Sequence, residues 1–104
     1  IQFKIDFHKK NNIIYSMRMI QKLKALEKAV VFLRWATDAQ FGKLKYVGED
    51  FIEFEILDMD SMEYTETVLI NSQLLLEVIV SGFEVSRVIA EISHKMEIAD
   101  LGNI

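Results

Sequence analysis

The sequence predicts a mainly β protein with a helix at each end: an N-terminal helix, five short antiparallel strands curled into a small, partly open barrel, and a C-terminal helix. Three observations point there. Between Gln40 and Val80 apolar residues recur at period two, in short runs broken by polar turns. Before that stretch, Ile20, Leu23, Leu26 and Val30 recur at helical spacing. After it, Val85, Val88, Ile89, Ile92 and Met96 do the same.

The chain of 104 residues is read as a single domain, with an arm over 1–16, a helix and barrel over 17–80, and a closing helix and tail over 81–104. Its 51% hydrophobic content is rich for so small a body, so some apolar surface is expected to remain for a partner. Cysteine is absent, which excludes disulfides and thiolate chemistry and suits a cytoplasmic setting. No apolar run is long enough to cross a membrane. Lys4, Asp6, Lys9 and Lys10 interrupt any leader-like apolar stretch, so no secretory leader is expected.

The net charge of −4 hides a split. Up to Lys45 there are ten basic and three acidic residues, a net +7; beyond it there are two basic and thirteen acidic, a net −11. Such asymmetry predicts one positive and one negative face.

Taken in order, Ile1, Phe3, Ile5 and Phe7 alternate with Gln2, Lys4 and Asp6, the pattern of an edge strand. Ser16 is the expected cap of a helix over 17–28, with Arg18, Lys22, Lys24 and Lys28 off its apolar face. Val30, Val31, Phe32, Leu33 and Trp35 are β-branched, aromatic or apolar in a short run that reads as a buried strand. Gln40–Tyr46 and Phe51–Leu57 are two strands around Val47-Gly48-Glu49-Asp50, where Gly48 is expected at positive φ. Thr65–Ile70 and Leu74–Val80 are two more, separated by Asn71-Ser72-Gln73. Ser81 and Glu84 match a capping box for a helix to about Met96, where Glu91 and Lys95 are spaced to pair and after which the tail is expected to fray. The expected core includes Val30, Phe32, Leu44, Phe54, Ile56 and Ile70.

No catalytic constellation emerges. His8 and His94 have no ligand spacing and read as surface residues. Asp58, Asp60, Glu63 and Glu66 hint at calcium, but an EF-hand loop from Asp58 would need glycine at Glu63 and glutamate at Leu69. Ser93 and His94 are adjacent on a helix and do not face one another. There is no glycine-rich phosphate loop. The expectation is a non-enzymatic protein with no cofactor and no metal.

The order helix, five strands, helix resembles the Sm-like family over about residues 20 to 80. Leu26-Glu27-Lys28-x-Val30 is similar to the family's helix-to-strand passage, leucine-glycine-lysine-x-valine. Gly42-x-Leu44 follows at a similar distance to the family's glycine-x-leucine. Glu49-Asp50-Phe51-Ile52-Glu53 falls on the first Sm motif, and Ile70-Asn71-Ser72-x-x-Leu75-x-x-Val78 on the second. Glu49 stands for the family's aspartate, Glu53 for its asparagine, Asn71 for its arginine and Ser72 for its glycine. The first motif's loop is one residue longer, and Phe41 directly precedes Gly42. The apolar skeleton therefore matches better than the binding residues.

The resemblance implies a closed homo-oligomeric ring of five to seven subunits that binds RNA or single-stranded nucleic acid. It implies Phe51 as a base-stacking platform and Asn71 as the opposite wall, with Glu53 and Ser72 completing the site. An ionised Glu53 donates no hydrogen bond and repels phosphate. The alternative is a ring that serves as a protein-interaction scaffold and binds no nucleic acid.

Overall fold

The computed structural model describes residues 4–6 and 13–102. The elements are β1 (Lys4–Asp6), α1 (Ile13–Lys24), β2 (Val30–Trp35), β3 (Asp38–Val47), β4 (Phe51–Asp58), β5 (Glu63–Asn71), a single 3-10 turn (Ser72–Leu74), β6 (Leu75–Ile79) and α2 (Phe83–Gly102). The strands form one antiparallel sheet in the order β1-β6-β2-β3-β4-β5. The mainly β class, the five longer strands and the two flanking helices agree with the sequence reading. The expected arm strand is described only at β1. Residues 1–3 and 7–12 of the arm, with His8, and residues 103–104 lie outside the described residues, and residues 13–16 belong to α1.

The sheet curls on itself. Ile70 of β5, near one edge, joins Leu75 and Val78 of β6, near the other, in a single cluster of buried side chains. Gly42 shows how tight the curl is: a Cβ there would lie 2.2 Å from the Glu55 carbonyl oxygen and 2.6 Å from the Phe54 ring. Bulges assist. β3 carries an extra residue against β4 between Leu44 and Tyr46, and the β4–β5 register shifts between Ile56 and Leu57.

α1 closes the inner face. Met19 and Leu23, one helical turn apart, are buried among Val31, Leu33, Trp35, Leu44, Val47, Ile52, Phe54 and Ile56. Trp35 meets Phe54 edge-on with ring centroids 5.9 Å apart. The helix begins and ends earlier than expected: it starts at Ile13, so Ser16 lies inside it, and it stops at Lys24. The stop comes from the sheet. The Lys28 N–H donates to the Leu44 carbonyl (2.6 Å), and the Ala29 carbonyl accepts from the Leu44 N–H (3.0 Å). Joining this ladder requires Lys28 at φ 76°, which is incompatible with a helix through 28.

The expected core needs one change of phase. Leu44, Phe54, Ile56 and Ile70 are buried. On β2, however, Val31, Leu33 and Trp35 point inward, while Val30 and Phe32 are only half-buried. Phe32 faces outward against Phe41, with ring centroids 4.9 Å apart. The one polar residue of β2, Arg34, is exposed on the same side as Val30 and Phe32, and this sets the phase of the strand.

α2 covers part of the outer face through Val85 and Val88, both buried. Its start differs from the expected box. The Gly82 carbonyl accepts from the Ser86 N–H (3.0 Å), so Gly82, at φ 123°, holds the cap position instead of Ser81. Glu84 pairs with Arg87 (2.9 Å). The expected Glu91–Lys95 pair is replaced: Glu91 binds Arg87 (2.9 Å), and Lys95 lies 3.1 Å from Glu63 and donates to the Ser61 carbonyl. That reach holds α2 against the β4–β5 loop, and the helix continues past Met96 to Gly102 in place of the expected frayed tail. Among the described residues no helix is long and apolar enough to cross a membrane.

Candidate functional site

The site grows from the β3–β4 hairpin. The Gly48 N–H donates to the Phe51 carbonyl (2.9 Å) and closes the turn. Gly48 is required for space, not for a left-handed backbone. A Cβ at Gly48 would lie 2.9 Å from the Tyr46 ring. Among the described residues, positive φ falls at Lys28, Met62 (58°) and Gly82, which corrects the expectation for Gly48.

Phe51 is 38% exposed and Tyr46 40% exposed. Their ring centroids lie 5.4 Å apart at 41°. Lys24, from the last turn of α1, places its ammonium 4.7 Å from the Tyr46 ring centroid. The three form a column of cation, ring and ring. Leu44 and Tyr46 alternate with Lys43 and Lys45 in the sequence, which in a regular strand would put both on one face. The extra residue on β3 breaks that alternation, so Leu44 is buried and Tyr46 turns out to join Phe51. Lys45 gave no sequence signal for a bulge.

Asn71 is directly opposite Phe51 in the β4–β5 ladder, and Leu69 is opposite Glu53. Phe51, Glu53, Leu69 and Asn71 therefore share one face. Glu53 is also opposite Tyr46, and its carboxylate lies 4.0 Å from the Lys45 ammonium. The Asn71 side-chain oxygen accepts from the Gln73 N–H (2.9 Å) and caps the 3-10 turn.

Ser72 has a different role from its neighbours. It is buried, its hydroxyl donates to the Glu49 carbonyl (2.7 Å), and its N–H donates to the Asp50 carbonyl (2.9 Å). It holds the hairpin tip against the 3-10 turn, and its hydrogen-bonding groups point into the protein.

Glu27 is the residue that sequence reasoning passed over. Its carboxylate accepts from the Val47 N–H (2.7 Å) and from the Lys24 ammonium (3.0 Å). The Val47 bond first, then Lys24, holds this carboxyl below the ordinary range. Glu27 thereby ties the exit of α1 to the root of the hairpin and steadies Lys24 beside Tyr46. Its place between Leu26 and Lys28 was visible, but a contact across twenty residues was not.

The acidic 58–63 loop is occupied with its own bonds. Asp58 accepts from the Asp60 N–H (2.9 Å) through its side chain and from the Met62 N–H (2.7 Å) through its carbonyl. Glu63 faces Lys95.

Compared with known proteins, the chain matches no family model, no curated protein and no solved structure.

Proposed function

We propose that this chain is a divergent Sm-like protein that assembles into a closed ring of five to seven copies and binds RNA or other single-stranded nucleic acid, without catalysis, in the cytoplasm. The Lys24–Tyr46–Phe51 column beside Asn71 carries the reading. Two half-exposed aromatic rings backed by a cation make a platform on which a base can stack. Glu53 on the same face accepts hydrogen bonds but donates none while ionised, so binding has weak sequence preference. The helix α1 ahead of the five longer strands supports the family reading. The outer edge of β5, unpaired among the described residues, supports head-to-tail assembly, since such an edge is a template for another chain. The absence of cysteine fits a reducing compartment.

A titration of labelled oligo-uridine and oligo-adenosine at low and high salt tests this. The parent binds both, binding weakens with salt, and Phe51→Ala loses roughly 1–3 kcal/mol per stacked base while keeping mass and melting temperature. No binding by the parent to either RNA or single-stranded DNA at low ionic strength removes the nucleic-acid reading. The scaffold reading rests on the exposed Leu69 (67%) opposite the acidic Glu53, which suits a protein surface better than a phosphate chain. It then stands alone.

A further inference from the structure

The two edges of the sheet are unequal. β5 is last in the strand order, and among the described residues its nine residues have no strand beyond them. β6, at the other end, is capped among the described residues only by β1, whose three residues pair Lys4 with Ile79, Ile5 with Val78 and Asp6 with Glu77. Beside that capped edge lies an apolar groove of about 390 Å³, lined by Phe32, Phe41, Ile79, Phe83 and Val85. Phe83 at its rim is 80% exposed.

The faces of the two edges are complementary. Phe32 faces outward and is opposite both Phe41 and Ile79, so the groove opens on the outer face. On β5, Ile70 faces inward and is buried, so Leu69 faces outward, and it is 67% exposed. If β5 of a second copy extends the sheet at β6, the pleat continues across the junction and outward side chains meet outward side chains. Leu69 then falls on the face that carries the groove.

We propose that β1 is a removable cap on β6, and that β5 of a second copy displaces it, bringing Leu69 into the Phe32–Phe41–Ile79 groove. The inference rests on the ring reading above and adds its control: one edge cannot hold β1 and a neighbour's β5 together. Assembly therefore waits on the fraction of chains in which β1 has left, and the apparent affinity between copies is reduced by that fraction.

Three variants of the 104-residue chain test it by light scattering and non-reducing gels. In Asp6→Cys with Glu77→Cys, oxidation joins β1 to β6; the native chain has no cysteine to compete. The oxidised form stays at monomer mass at concentrations where its reduced form assembles. Ile5→Pro with Asp6→Pro removes donors at adjacent positions, one of which must face β6. It assembles at about tenfold lower concentration than the parent. Leu69→Asp assembles about tenfold less readily, with melting unchanged because the side chain is exposed. An oxidised form that still assembles, a disulfide that fails to form, a disulfide formed between copies, or a proline variant no different from the parent overturns the cap and leaves the ring reading standing. Normal assembly by Leu69→Asp overturns the groove's part in the contact. If the parent and the proline variant are both monomeric at the highest concentration reached, the ring reading falls and the cap with it.

Discussion

The inner and outer faces of the sheet are built on different physics. Inside, α1 and five strands enclose one continuous cluster in which Leu23, Val31, Leu33, Leu44, Ile52, Phe54 and Val78 have almost no exposed surface. Outside, α2 buries Val85 and Val88 near its start, then leaves Ile89, Met96 and Ile98 exposed and holds on through Lys95 to Glu63 and Ser61. The inner face is stabilised by removal of apolar area and by close packing, which every strand shares. The outer face depends on a few local contacts and exposed ion pairs, each worth little in water. The difference leaves the outer face with room for a groove and a partner, while the inner face has none.

Substitutions on the two faces should separate accordingly. The largest loss is expected for Phe54→Ala. It removes a fully buried ring that touches Trp35, at a cost of about 3–5 kcal/mol in chemical denaturation. Val88→Ala, equally buried but under α2, should cost about 2 kcal/mol by the same measurement. A Val88 loss as large as that of Phe54 would show that the two faces form one cooperative core.

Glu27 joins the inner-face helix to the hairpin, and its contribution should follow pH. Its folded carboxyl titrates below the ordinary carboxylate range. The stabilisation is therefore fully present above the unfolded value and lost as pH falls through the depressed folded one. Hydrogen exchange at the Val47 amide should accelerate across that acid window. Glu27→Gln should flatten the profile; a parent profile with no acid step removes Glu27 from this role.

The smallest effect is expected for Lys95→Met. Its ion pair with Glu63 is well exposed on both sides, so global stability should change by less than ~1 kcal/mol. Protection from exchange in the last turns of α2 should nevertheless fall, and salt should produce part of the same loss in the parent. Unchanged protection would mean that the apolar contacts alone hold the helix.

The order and type of the elements were legible in the sequence, since period-two runs between polar turns and period-3.6 runs at the ends are local properties of the chain. So were the inward positions Leu44, Phe54, Ile56 and Ile70. The phase of β2 rested on one residue: exposed Arg34 puts Val30 and Phe32 on the outer side with it, whereas their apolar bulk alone argued for the core. The face of Tyr46 was not legible, because a bulge inverts every later side chain without leaving a mark in composition.

What the sequence determined by itself is therefore the mainly β class, the flanking helices and the apolar skeleton, because propensity and hydrophobic periodicity act within a few residues. Only the tertiary structure decided that Ser72 is an anchor, that Glu27 reaches Val47, that Lys95 binds Glu63 in place of Glu91, and that β1 lies on the edge of β6. Each of these is a pairing across many residues among several chemically equivalent partners. Which partner is met depends on where the folded sheet brings them within hydrogen-bonding distance, and no local pattern records that distance.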